Sequence, residues 1–219
     1  MSGAQWLNWL RGQGLELSLA IFLLGIVFRV VQNLVIGSDK NLAARRGGMM
    51  GAGLRTIVTR TFSFRQMSYR GYFTIIAGYL FHLGFLITLF FLSQHIVLFK
   101  SVIGFGWPAL SPALIDISAV LAIASLIAVL IHRLMDPVLK QISDYQDYIS
   151  WLLTLLPLAT GFVLMHPMGL SYNSALALHI ASFELLLIAI PFTKLSHIVS
   201  IFISRWYNGA IAGYRGVNR

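Results

Sequence analysis

The chain has 219 residues, 58% of them hydrophobic and 11% charged, with a formal net charge of +9. So little polar surface cannot cover a water-soluble globule, so the composition excludes a soluble protein and points to an integral membrane protein. Zero cysteines exclude disulfides, thiolate metal sites, c-type haem attachment and iron–sulfur clusters held by this chain, leaving histidine or methionine for any redox metal.

Residues 1–13 form a short leading segment whose Trp6 and Trp9 suit the membrane interface, where indole rings concentrate. An apolar run at 14–36 follows. It is too long for a signal-peptide core and lacks an A-x-A-like site after it, so it is expected to remain as an anchor. Segment 37–71, with "RRGGMMGAG" inside it, is the long loop of the chain, and loops of that length are often functional. Further apolar runs at 72–99, 109–132, 147–166 and 174–204 reach the roughly 20 helical residues that cross a bilayer core. Stretches such as "AVLAIASLIAVLI" show none of the alternation of a membrane β-strand. The expected fold is therefore all-α: one five-transmembrane-helix bundle over 1–219, without an internal repeat or second domain. Pro191 predicts a kink in the fifth helix.

Lysine and arginine set the orientation, because cytoplasmic loops retain them. Segment 37–71 holds Lys40, Arg45, Arg46, Arg55, Arg60, Arg65 and Arg70. Arg133 and Lys140 follow the third helix, and Arg205, Arg215 and Arg219 lie in the tail. The opposite side has only Arg11 and Lys100. The N-terminus is expected outside and the C-terminus in the cytoplasm, in a multi-pass protein of the cytoplasmic membrane. This excess accounts for the net charge without nucleic acid, and it suits anionic lipid or a soluble docking subunit. The inner stretch "LMDPVLKQISDYQD" gathers Asp136, Asp144 and Asp147, three of the seven acids, whereas the outer loops "GFGWPALSP" and "HPMGLSYNS" are short.

All six histidines fall in or at the end of a predicted span, where ionisable groups are costly enough to be functional candidates. By topology His82, His132 and His197 lie toward the cytoplasm, and His95, His166 and His179 toward the outside. His179 and His197 are 18 residues apart, five turns of a straight helix and about 27 Å along its axis. Helices 2 and 5 run antiparallel, so His82 pairs by level with His197 and His95 with His179. Two such pairs can clamp two haems across a bilayer. The 13 residues from His82 to His95 turn a straight helix by roughly 220°, which demands a bulge, a bend at Gly84 or a tilted outer haem. Otherwise His166 is the outer ligand, or only one haem is bound. The plain alternative for each histidine is a hydrogen-bonded interhelical residue, which is the better reading for His132 beside Arg133.

At "YLFHLGF" and "PFTKLSHIVSIFISRWYNGAIAGYR" the sequence resembles the gamma (cytochrome b) subunit family of respiratory nitrate reductases. It also resembles the related membrane cytochromes b of heterodisulfide-reductase-like and sulfite-reduction-associated complexes. The resemblance implies haem ligation by His179 and His197, which match the family's 18-residue spacing, and by His82 on helix 2. The family pattern puts the second helix 2 ligand ten residues after His82, where Leu92 stands, so His95 is the substitute. That departure and the basic 37–71 segment imply a partner other than the standard nitrate reductase iron–sulfur subunit.

The function implied is a dihaem b-type subunit of a respiratory redox complex. It exchanges electrons between quinone at the outer side and a cytoplasmic iron–sulfur subunit, itself attached to a further redox subunit. Candidates for the quinone site are Asp116, Lys100 and His166, with Tyr172 as a hydrogen-bond donor. Interfacial anchoring also accounts for Lys100 and Tyr172, and helix capping for Asp116. Glu184 in helix 5 is a candidate proton relay or propionate partner, although a Ser, Thr or backbone partner across the helix interface is the simpler explanation. Arg29 and Lys194 are candidate partners for inner-haem propionates, or snorkel to the boundary. Two competing classes remain open: a transporter or channel component using buried His and Glu as a proton path, and a non-redox membrane anchor.

Overall fold

The computed structural model describes residues 3–36, 44–61, 69–166 and 169–217. Lys40, Arg65 and Arg219 lie outside the described residues, as does the side chain of Arg70. Every regular element among the described residues is helical. Five of the helices are long and apolar enough to cross a membrane: Gln5–Val35, Gly71–Phe91, Pro112–Met135, Tyr145–Met165 and Tyr172–Phe192. The chain is a multi-pass, all-α membrane protein.

The first helix begins earlier than its apolar run. Helix α1 (Gly3–Trp9), a π turn (Leu10–Gly14) and α2 (Leu15–Ile36) follow one another directly, so the leading segment is part of the helix. The chain divides into two compact units, Met1–Leu15 with Ser68–Leu186, and Glu16–Met67 with Leu187–Arg219.

In the first unit the span expected at 72–99 is two helices, α4 (Tyr69–Phe91) and α5 (Ser93–Ile103), separated by Leu92 in an extended conformation (φ −71°, ψ 129°). A helix end inside a membrane strands its last four carbonyls, each of which needs a donor. Here all four are met. His95 Nδ1 donates to Thr88 O and Leu89 O at 3.1 Å each, Trp107 Nε1 to Phe90 O at 2.7 Å, and the Leu110 amide to Phe91 O at 3.1 Å. The segment between α5 and α6 (Pro112–Met135) thus folds back to close the end of α4. Gly104, at φ 86°, provides the left-handed turn that stops α5.

Helix α6 buries Ser118, Ala119, Ala122, Ser125 and Leu126 on one stripe, the small-residue face that close membrane helix packing favours. Gly84 of α4 sits against this stripe, where a Cβ would collide with the Ser118 carbonyl and stand 3.1 Å from the Ala122 Cβ. Ala122, Leu126 and Leu158 form the buried centre with Phe81, Phe85, Trp151 and Leu155 around it. All three acids of the "LMDPVLKQISDYQD" stretch cap helices. Asp136 accepts from the Val138 and Leu139 amides at the start of α7 (Pro137–Ile142), and Asp144 and Asp147 form the capping box of α8 (Tyr145–Met165). Arg133 joins them, 3.4 Å from Asp147 and donating to Ser143 at 2.8 Å.

The fifth span is also divided. Helix α9 (Tyr172–Ala189) gives way to 3₁₀ turns at Ile190–Phe192 and Lys194–Ser196, with Thr193 extended between them, before α10 (His197–Tyr214) begins. Proline lacks the amide hydrogen and its ring clashes with the preceding turn, so the kink expected at Pro191 is a break. The straight-helix relation between His179 and His197 therefore does not hold. His179 belongs to the first unit and His197 to the second.

In the second unit Gly25 of α2 leaves room for the Pro191 ring, and Arg29 Nε donates to Pro191 O at 2.7 Å. Part of the expected loop 37–71 is a helix, α3 (Met49–Thr61), packed on α10. Gly53 faces the Trp206 indole, Gly209 faces Ala52 and Thr56, and Gly213 faces Gly48 and Ala52, at approaches that a Cβ would block. Arg205 Nη1 donates to Thr61 Oγ1 at 2.7 Å, and the Arg46 amide to Tyr214 O at 2.8 Å.

Candidate functional site

The break at Leu92 restarts the helical phase before His95, which removes the straight-helix obstacle to using that residue. His95 and His179 face each other within the first unit, with ring centres 6.0 Å apart and planes 10° from parallel. Because carbonyls only accept, the two bonds from His95 Nδ1 to Thr88 O and Leu89 O put the proton on Nδ1 and leave Nε2 with its lone pair. His179 Nδ1 lies 3.3 Å from Thr160 Oγ1, whose own hydrogen goes to Leu156 O at 2.7 Å, so the imidazole is the donor. The His179 ring also hydrogen bonds the Pro157 backbone.

Two residues that sequence reasoning passed over hold His179 in place. Thr160 orients the ring. Gly161 makes room for it, since a Cβ there would stand 3.0 Å from His179 Cε1. Ser182 completes the cluster, 2.9 Å from Thr160 Oγ1 and donating to His179 O at 2.8 Å. The available signal was the Thr160-Gly161 pair, one polar acceptor beside one missing side chain in the second half of the span.

His95 and His179, 6.0 Å apart between ring centres, are the residues that would hold a haem here, and the haem would supply one-electron redox chemistry. Bonds from the other ring nitrogen to backbone and hydroxyl groups are those that fix a ligating histidine. Among the described residues no group of three or more His, Asp or Glu side chains is placed to hold a metal ion, so the fold offers a two-histidine pair here and no polydentate cage.

His82, on α4 in the first unit, donates from Nδ1 to Gly78 O at 2.6 Å and packs edge-on to Phe81. His197, opening α10 in the second unit, donates from Nδ1 to Lys194 O at 2.9 Å. Both are exposed. His132 packs edge-on to Phe73 with ring centres 4.8 Å apart. Arg29 hydrogen bonds Pro191 O and Gln32 Oε1, which gives it a structural task at the fifth-helix break. Lys194 is exposed on the second 3₁₀ turn.

A cleft of about 110 Å³ opens beside the α4 break, lined by Leu92, Ser93, Gln94, Ile115, Asp116 and His166 among others. His166 Nδ1 donates to Phe162 O at 3.1 Å, which turns Nε2 toward Asp116, 3.7 Å from its Oδ2. Two of the candidate quinone-site residues thus meet across one cleft. Lys100 and Tyr172 are exposed and do not line it. The volume suits one six-membered ring head group, since a drug-sized ligand needs about 300 Å³ or more.

No family model matches the chain, and no solved structure matches it significantly. The chain is similar to a protein of Nitratidesulfovibrio vulgaris (strain Hildenborough) whose description reads only "Protein". The two are 33% identical over 205 residues, which cover 90% of this chain and 88% of the relative.

Proposed function

We propose that this chain, which belongs to one family with the Nitratidesulfovibrio vulgaris protein, is a haem b-carrying electron-transfer subunit of a redox complex in the cytoplasmic membrane. It exchanges electrons between the quinone pool and an iron–sulfur partner. The observation that carries the reading is the His95–His179 pair, parallel within 10° and 6.0 Å between ring centres. Haem supplies a one-electron redox couple when bound.

The chain's own residues have separable tasks. His95 and His179 hold the outer haem, with Thr88, Leu89 and Thr160 keeping each proton on Nδ1. Asp116 and His166 accept the two protons that quinol releases on giving up two electrons, or supply them in the reverse direction. The second unit supports docking of an acidic iron–sulfur subunit. Arg45, Arg46, Arg55, Arg60 and Arg215 are exposed there, and residues 44–61 and 197–217 contain no acid.

The test is a reduced-minus-oxidised visible spectrum with pyridine haemochrome quantification on purified protein and a His95→Ala variant. A b-type spectrum in the wild type whose haem content falls in the variant supports the assignment. A colourless wild-type protein overturns it.

A further inference from the structure

Glu184 of α9 is buried, 6% exposed, and its Oε1 has no hydrogen-bond partner among the described residues. It makes no ion pair among them either. A carboxyl group placed only for packing or helix contact would spend its oxygens on neighbours, because a buried polar atom left unpaired is unfavourable. This group instead points at the one irregular turn of the first helix. A Cβ on Gly14 would stand 2.9 Å from Glu184 Oε1 and 3.1 Å from Oε2, so both oxygens face the Gly14 backbone.

Gly14 closes the π turn Leu10–Gly14, in which the Leu15 amide reaches back to Leu10 O as well as Gly12 O. Such turns widen a helix, relax its regular bonding and are frequent at functional sites. Leu7, Leu10 and Gly14 are buried, and the Trp9 ring closes on the same spot, with Cζ3 3.0 Å from the position of a Gly14 Cβ. The cation of this turn, Arg11, is exposed, and the titratable neighbour on α9 is His179, five residues away. An ionised carboxylate without a counter-charge is strongly disfavoured in such surroundings.

We propose that Glu184 and the π turn of the first helix form a proton-binding site between two membrane-spanning helices. The site takes up H⁺ as the carboxylate becomes the carboxylic acid and releases it in the reverse step. It is independent of the haem assignment, because no histidine ligand takes part.

Infrared difference spectroscopy on the full chain in liposomes tests this, whether or not haem is bound. At neutral pH the wild type is expected to show a protonated-carboxyl C=O band that is absent from Glu184→Gln, moves in Glu184→Asp, and shifts when H₂O is exchanged for D₂O. Gly14→Ala, which pushes on both oxygens, is expected to shift the same band. If Glu184→Gln does not fold, the Glu184→Asp displacement still identifies the band. Absence of any Glu184-dependent protonated band overturns the proposal, and carboxylate bands that respond to sodium would then assign a cation site. A band that never exchanges with deuterium overturns it as well, since a sealed acid is a structural group.

Discussion

His95 and His179 stand with their ring centres 6.0 Å apart and planes 10° from parallel, although a straight second helix would turn His95 well away from the face of His82. The extended Leu92 resolves the mismatch. The Nδ1 of His95 closes the stranded carbonyls of Thr88 and Leu89, which leaves the lone pair on Nε2. The same bonds sustain the break and orient the imidazole of the proposed ligand.

The first prediction separates holding from orienting. Thr160 touches His179 and is not itself a proposed ligand. Thr160→Val is expected to retain the b-type spectrum but to weaken haem retention about 10-fold or more, as loss of a ligand's outer partner commonly does. Competition with apomyoglobin measures this. Thr160→Ser, which keeps the acceptor oxygen, is expected to restore wild-type retention; equal loss in both variants would point to packing alone.

Trp107 supplies a second prediction. Its indole donates to Phe90 O at the broken end of α4, a carbonyl that the helix itself leaves unpaired. Trp107→Phe keeps the ring and removes the donor, at a cost of about 1 kcal/mol, seen as a lowered thermal midpoint in detergent. An unchanged midpoint would show that the carbonyl finds another donor.

The five spans are legible in the sequence because a bilayer core demands length and hydropathy, and both are one-dimensional properties. Pro191 is equally legible, since its missing amide hydrogen is covalent. The break at Leu92 is not legible: leucine is a good helix former, and the donors that sustain the break come from His95, Trp107 and Leu110. Helix α3 hides for the opposite reason. Its glycines are poor helix formers and read as a loop, yet Gly53 is where the Trp206 indole of α10 comes closest. In the candidate site, topology brings Asp116 and His166 to one level, and they meet. Lys100 has the right level and the wrong face, which hydropathy alone does not distinguish.

The α3–α10 interface yields a third prediction. Gly209 lies against Ala52 O and the Thr56 side chain, with no room for a Cβ. Gly209→Leu overpacks the contact at a cost of about 1–3 kcal/mol, and is expected to free α3 so that trypsin cuts after Arg55 or Arg60. Ile201→Leu, also on α10, changes shape without closing an approach and serves as the control; equal cleavage of both would show that α3 is not held by this contact.

The cleft yields the fourth. Asp116 and His166 are each close to half exposed, at 44% and 41% of their side chains, so they are reachable by a head group and contribute little stability as an exposed pair. Asp116→Asn and His166→Gln are therefore expected to fold and to keep their haem, because neither residue belongs to the His95–His179 pair. Removing one proton acceptor is expected to slow quinol-driven haem reduction by 10-fold or more, while dithionite reduction, which uses no quinol site, stays at the wild-type extent. A Lys100→Ala variant, altered outside the cleft, is expected to reduce at the wild-type rate. If Asp116→Asn and His166→Gln keep wild-type quinol kinetics, the cleft is not the quinone site; if Lys100→Ala alone is slow, the site lies on the exposed face of α5.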